Sequence, residues 1–257
     1  MHLFSRKAGS GKPLVILHGL FGISDNWNSL AKRWAESFTV YTLDLRNHGQ
    51  SPHAEEFDYT VMAEDVIEFF GEEKLQEVVL LGHSMGGKVG MRLALDFPQA
   101  LSKLIVSDIA PKKYAEHNRN VVDALLKVQP GKLSSRKEAE AILAQQNLDN
   151  GTIQFLLKNL SWKDETDGSK HLAWRFNLDV IDRKLSVVSE ATDSPAPCDV
   201  ETLFIRGDRS HYIKDEDFAE IKRIFPSSEI VTIPNAGHWV HADNPQAMYE
   251  AVMRFAN

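Results

Sequence analysis

The chain is 257 residues long, with 43% hydrophobic and 25% charged residues, the composition of an ordinary globular protein large enough to bury a sizeable core. Its 29 basic residues against 36 acidic ones leave a formal net charge of −7. That balance disfavours binding to phosphate backbones, which depends on Lys and Arg displacing counterions, so nucleic acid is not expected as a partner.

The first dozen residues, MHLFSRKAGSGK, place charge and glycine where an export signal needs an apolar run. Gly9-Ser10-Gly11-Lys12 lacks the earlier glycine of a phosphate loop and precedes its strand, so it reads as a surface turn. Short apolar runs bounded by Gly, Pro or Asp predict buried strands over 13–17, 38–43, 78–81 and 103–106, with helices over 29–37, 60–71 and 86–97. Parallel strands need a crossover rather than a tight turn, so this alternation gives an α/β protein with a mostly parallel sheet. From 111 to 190 the β-branched runs disappear. Helical spacing over 118–128, 134–146, 152–160 and 177–188 predicts an all-helical insertion lying over the carboxyl ends of the strands. After Pro195-Ala196-Pro197 comes Cys198, the one cysteine; it cannot form an intrachain disulfide and fits a reducing compartment, by default the cytoplasm. Strands over 202–206 and 229–233 and an amphipathic helix over 245–255 complete the pattern. The expected division is a core of 1–110 and 191–257 and a helical cap of 111–190. No window approaches the roughly 20 apolar residues of a membrane span.

Gly82-His83-Ser84-Met85-Gly86 follows a buried strand and precedes a helix, the context in which G-x-S-x-G presents a serine nucleophile. A serine hydroxyl needs an adjacent base. Of ten histidines, His238 in Ala236-Gly237-His238-Trp239 follows the last strand and arrives at the same sheet edge. His241 lies three residues on, but a His-x-x-His pair without a third ligand does not make a metal site, and no metal or other cofactor is expected. The carboxylate that orients the imidazole comes from one of two loops, Asp108 after the strand over 103–106 or Asp208 after the strand over 202–206. Both lie between serine and histidine in the chain, so order leaves the choice open. An oxyanion would be held by the backbone N–H of Met85, next to the nucleophile, and by that of Leu20 in His18-Gly19-Leu20-Phe21-Gly22.

These segments, with Asp44-Leu45-Arg46-Asn47-His48-Gly49-Gln50-Ser51-Pro52, Asp108-Ile109-Ala110-Pro111 and Trp174-Arg175-Phe176-Asn177, resemble the α/β-hydrolase-fold serine esterases nearly end to end. The likeness is to the bacterial acyl-ester and acyl-CoA esterases of the YbfF type and their mitochondrial relatives, which share the Asn47-His48 pair and the segment from Trp174 to Asn177. The resemblance implies hydrolysis of acyl esters or thioesters by Ser84, His238 and an aspartate. The commonest acid position of the fold is occupied here by Ser210, and this branch uses the position of Asp108; Asp208 stands as the alternative. Arg46, Asn47 and His48 are expected to stiffen the loop beside the oxyanion site, with direct substrate contact by His48 a second reading. Trp162, Trp174 and Phe176 read as insertion core or acyl-pocket lining, and Lys112, Lys113 and Arg175 as solvated charge or a contact for a charged acyl carrier. Rival functions are cofactor-free haloperoxidation, carbon-carbon bond hydrolysis on the same triad, and a catalytically silent binding module.

Overall fold

The computed structural model describes residues 1–116 and 118–257. An exposed edge strand β1 (Ser5–Ala8) leads into β2 (Lys12–Leu17), α1 (Asn28–Trp34), β3 (Phe38–Leu43), α2 (Tyr59–Glu72), β4 (Val78–His83), α3 (Met85–Asp96) and β5 (Leu101–Ser107). Then follow α4 (Arg119–Lys127), α5 (Arg136–Ala144), α6 (Asn150–Leu157), a hairpin of β6 (Leu160–Asp164) and β7 (Lys170–Trp174), α7 (Leu178–Arg183) and α8 (Leu185–Val188). The chain returns through β8 (Thr202–Gly207), α9 (Phe218–Ile224), β9 (Ser228–Ile233), α10 (Val240–Asp243) and α11 (Pro245–Ala256).

Seven strands form one sheet in the order β1-β3-β2-β4-β5-β8-β9, and every pairing in it is parallel except β1 with β3. Strand side chains alternate between faces, and both faces are covered, so the central strands read as unbroken apolar runs. Leu14, Ile16, Leu81 and Ile205 pack with Trp27, Trp34, Met248 and Val252 of the α1 and α11 side. Val15, Leu17, Leu80 and Phe204 pack with Val66, Phe69 and Val89 of the α2 and α3 side. β4 lies in the middle of the sheet, so its carboxyl end is flanked by those of β2 and β5. Among the described residues no helix is long and apolar enough to cross a membrane.

The segment between β5 and β8 departs from the all-helical expectation. Residues 160–174 form an antiparallel hairpin with Leu160 opposite Trp174 and Trp162 opposite Leu172. Its strands, LSWKD and KHLAW, contain no β-branched residue, so the usual strand signal is missing. The predicted helix over 152–160 therefore stops early, at Leu157. The predicted helix over 177–188 is two short helices, α7 and α8. Leu125, Leu143, Leu156, Leu160 and Leu172 of the insertion join the same apolar cluster as the α2 and α3 side of the sheet.

One lysine closes the root of the insertion. Lys88 on α3 is fully buried, and its ammonium donates to the carbonyls of Pro111 at 2.8 Å and Lys112 at 2.6 Å, where the chain leaves the sheet, and of Glu190 at 2.9 Å, where it returns. A buried charge is tolerated only when its donors are satisfied, and three carbonyls meet that need.

Candidate active site

Ser84 sits at the turn from β4 into α3 with φ 52° and ψ −116°, a left-handed conformation that an L residue holds only when the surroundings enforce it. The two flanking glycines make the turn possible. A Cβ on Gly82 would lie 2.1 Å from the Gly86 carbonyl oxygen, and one on Gly86 would lie 2.6 Å from that of His18. The turn is pinned by the Ser84 N–H donating to the Ser107 carbonyl at 3.0 Å.

The loop after β9 brings His238 to this edge, with Nε2 3.0 Å from the Ser84 hydroxyl oxygen. Its Nδ1 lies 2.8 Å from Oδ2 of Asp108, which is fully buried just after β5. Asp108 also has a left-handed backbone, at φ 54°, and its Oδ1 accepts the Gly207 N–H at 3.1 Å. The Ser210 hydroxyl donates to Oδ2. The imidazole of His238 is stacked on the Tyr212 ring at 3.8 Å between centroids. Serine, imidazole and carboxylate thus form one continuous hydrogen-bonded chain.

Asp208 is placed differently. Its carboxylate accepts the N–H groups of Asn235 and Ala236, both at 3.0 Å, so it holds the start of the loop that carries His238 without meeting the imidazole. The Asn235 amide keeps its carboxyl below the usual range.

The loop with Leu20 lies across from Ser84. The Phe21 N–H donates to His48 Nε2 at 3.2 Å and the Gly22 N–H to the Gly19 carbonyl at 2.9 Å. Among the described residues the N–H groups of Leu20 and Met85 meet no protein acceptor. His18 and His48 are both buried and act as scaffolding. His18 Nδ1–H donates to the Gly19 carbonyl and its Nε2 accepts the Leu45 N–H, while His48 Nδ1–H donates to the Arg46 carbonyl. Burial pushes His18 down to about 4 and His48 to about 3, so both rings are neutral donors and acceptors near pH 7. Arg46 is paired with Asp65 in the interior, and the Asn47 side chain exchanges hydrogen bonds with Ala54.

A model of the α/β-hydrolase fold family matches residues 12–245. The chain belongs to the α/β-hydrolase-fold family. This hydrolase is 39% identical over 250 residues to the sn-1-specific diacylglycerol lipase ABHD11 of Mus musculus, covering 94% of this chain and 80% of that protein. It is 34% identical to esterase YbfF of Escherichia coli strain K12, covering 96% and 94%. Among solved structures, a marine microorganism esterase superposes with a TM-score of 0.93 at 41% identity, covering 98% of both chains. With these relatives the hydrolase is of the carboxylesterase type.

Beside Ser84 the hydrolase encloses a cavity of about 340 Å³. Its apolar lining includes Leu20 and Phe21 and, from the insertion, Val121 of α4 and Phe155 and Leu156 of α6. Its polar lining includes Asn26, His241 and Asp243, and the His241 ring stacks on Trp27 at 4.3 Å. Three aromatic residues singled out in the sequence do not line this cavity. Phe176 is buried against Phe21 and Trp174, and Trp162 is 52% exposed on the hairpin, so the core reading fails for Trp162 and the pocket reading for all three. Lys112 is paired with Asp217 and Lys113 with Glu190.

His83, the variable residue before the serine, proves to be part of the support. Its Nε2–H donates to the His238 carbonyl at 2.9 Å, and burial holds its pKa well below the ordinary value, so it is a neutral brace under the imidazole. Nothing local in the sequence marks it, because its partner lies 155 residues away.

Proposed function

We propose that the protein is a serine hydrolase that cleaves carboxylic ester bonds of acyl substrates through an acyl-enzyme. His238 Nε2 takes the Ser84 proton as the serine oxygen attacks the acyl carbon, and the Leu20 and Met85 N–H groups donate to the oxyanion. The imidazolium then gives its proton to the departing alcohol. Water, deprotonated by the same ring, attacks the acyl-enzyme, and the proton returns to Ser84 as the acid leaves. Asp108 keeps the Nδ1–H tautomer and offsets the ring's positive charge. The observation that carries this reading is the unbroken contact of 3.0 and 2.8 Å from Ser84 through His238 to Asp108. Asp108 is favoured over Asp208 as the acid because Asp208 spends its oxygens on backbone amides.

In this reading residues 1–110 and 191–257 are the catalytic core and 111–190 a cap that roofs the acyl group with Val121, Phe155 and Leu156. Relatives named as an esterase and a diacylglycerol lipase support an acyl ester as the substrate class. A thioester fits the same chemistry and is the second substrate class. A lone buried Cys198 is consistent with a cytoplasmic enzyme.

The test is Ser84→Ala on a series of p-nitrophenyl esters. The expected loss of kcat is at least about 10⁴-fold with the fold intact. Turnover within tenfold of the native enzyme would refute the reading.

A further inference from the structure

Three consecutive peptide groups of the oxyanion loop are each held from outside or across the loop. The carbonyl of Gly19, which shares a peptide plane with the Leu20 N–H, accepts from His18 Nδ1 at 2.8 Å and from the Gly22 N–H at 2.9 Å. The next plane is held by the Phe21 N–H on His48 Nε2 at 3.2 Å. The third is held by the Phe21 carbonyl, which accepts from the Asn159 side-chain amide at 2.7 Å. Phe21 itself lies at φ 58°, a conformation that must be imposed on a residue with a side chain.

The first two planes are held from within the core. The third is held by the insertion, because Asn159 lies between α6 and β6. It is 0% exposed, and its own backbone carbonyl takes the Arg175 N–H at 2.8 Å from beyond the other strand of the hairpin. A second insertion contact falls on the same residue, where the Phe176 ring meets that of Phe21 edge-on at 5.0 Å. A third reaches the loop next to His48, through the Asn177 N–H donating to the Asn47 carbonyl at 2.9 Å.

We propose that Asn159 is a positioning residue for catalysis, through which the docked insertion locks the Phe21 carbonyl and so aims the Leu20 N–H at the oxyanion. The inference rests on the serine-hydrolase reading above and adds to it. The insertion then does more than wall the acyl cavity, because displacing it would release the oxyanion loop and slow the chemistry for any acyl group, including one too small to need the pocket.

The experiment compares p-nitrophenyl acetate with p-nitrophenyl octanoate in Asn159→Leu, which keeps the size without a donor, and Asn159→Ala, which removes the donor and the bulk. Rates are expressed per Ser84 titrated to completion with a fluorophosphonate, so a partly folded preparation still gives an answer. The expected result is a fall in kcat of about 10-fold to 100-fold on both esters, with KM for the acetate within about twofold, as for a misplaced catalytic group. Trp162→Ala, on the same insertion but exposed, should keep native rates on both. If the Asn159 variants instead keep native kcat on the acetate and only raise KM for the octanoate, Asn159 merely shapes the pocket and the inference is overturned. Native enzyme that turns over neither ester in a Ser84-dependent way would bring down the underlying reading instead.

Discussion

Ser210 donates its hydroxyl to Asp108 Oδ2, the same carboxylate oxygen that faces His238 Nδ1 at 2.8 Å. In the proposed mechanism Ser210 therefore supports the acid, which is carried on the neighbouring strand's loop. Because the Ser210 side chain already touches that oxygen, a carboxylate at 210 would reach the imidazole. Asp108→Asn should lower kcat/KM by about 10³-fold to 10⁴-fold, since the amide favours the wrong histidine tautomer. Adding Ser210→Asp should recover at least about tenfold of that loss, measured on p-nitrophenyl butyrate. A double variant no better than the single one would show that the two positions are not interchangeable.

Asp208 should behave differently under the same substitution. The Asn235 N–H goes to Oδ2 and the Ala236 N–H to Oδ1, so an amide at 208 keeps one of the two bonds and touches no catalytic group, and Asp208→Asn should cost less than about tenfold in kcat/KM while Asp108→Asn is nearly inactive. The reverse ranking would reassign the acid.

Lys88 is the stability counterpart of the catalytic residues. Lys88→Met keeps the length of the side chain and removes the donor to the carbonyls of Lys112 and Glu190, while the Pro111 carbonyl still accepts the Thr192 N–H at 2.7 Å. Both of those carbonyls are only partly buried, so at about 1 to 3 kcal/mol for a fully buried polar group left unpaired, urea unfolding should show a loss of about 1 to 3 kcal/mol. A loss under about 1 kcal/mol would mean that the clamp contributes little.

Acid should destabilise the protein through the buried histidines. His18 and His48 have native values of about 4 and about 3, set by burial, against an ordinary 6.5. From pH 6.5 down to about 4 the unfolded chain takes up protons that the native state refuses, so stability falls as pH falls. Each pH unit crossed in that window costs about 1.4 kcal/mol per histidine, so His18 alone removes about 3 kcal/mol. Urea midpoints measured at pH 7, 5.5 and 4 should decline in that order, and a flat profile would contradict the assignment.

The parts of this architecture that could be read from the sequence are those whose physics is local. β2, β4 and β8 are buried on both faces and so are written as unbroken apolar runs, and the Ser84 turn needs its glycines at fixed spacing. β1, the exposed SRKA edge strand, has no apolar signal and exists because it pairs with β3. The β6–β7 hairpin lacks β-branched residues and is hidden by helical spacing on either side. Asp108 and Asp208 could not be separated by pattern, because each follows a parallel strand and both strands end at one sheet edge. Their difference lies in which donors each meets, Ser210, His238 and the Gly207 N–H for one and two backbone amides without an imidazole for the other. His83, Lys88 and Asn159 carry no local signature, since their roles lie in partners 23 to 155 residues distant along the chain.

The central claim, that Ser84 becomes covalently acylated, is tested most directly by rapidly quenching the enzyme during turnover of a p-nitrophenyl ester and mapping the added acyl mass by peptide mass spectrometry. The account predicts a burst of p-nitrophenol matched by one acyl group on the peptide containing Ser84, and neither in Ser84→Ala. An acyl group on another residue, or steady hydrolysis by Ser84→Ala with no adduct, would contradict it.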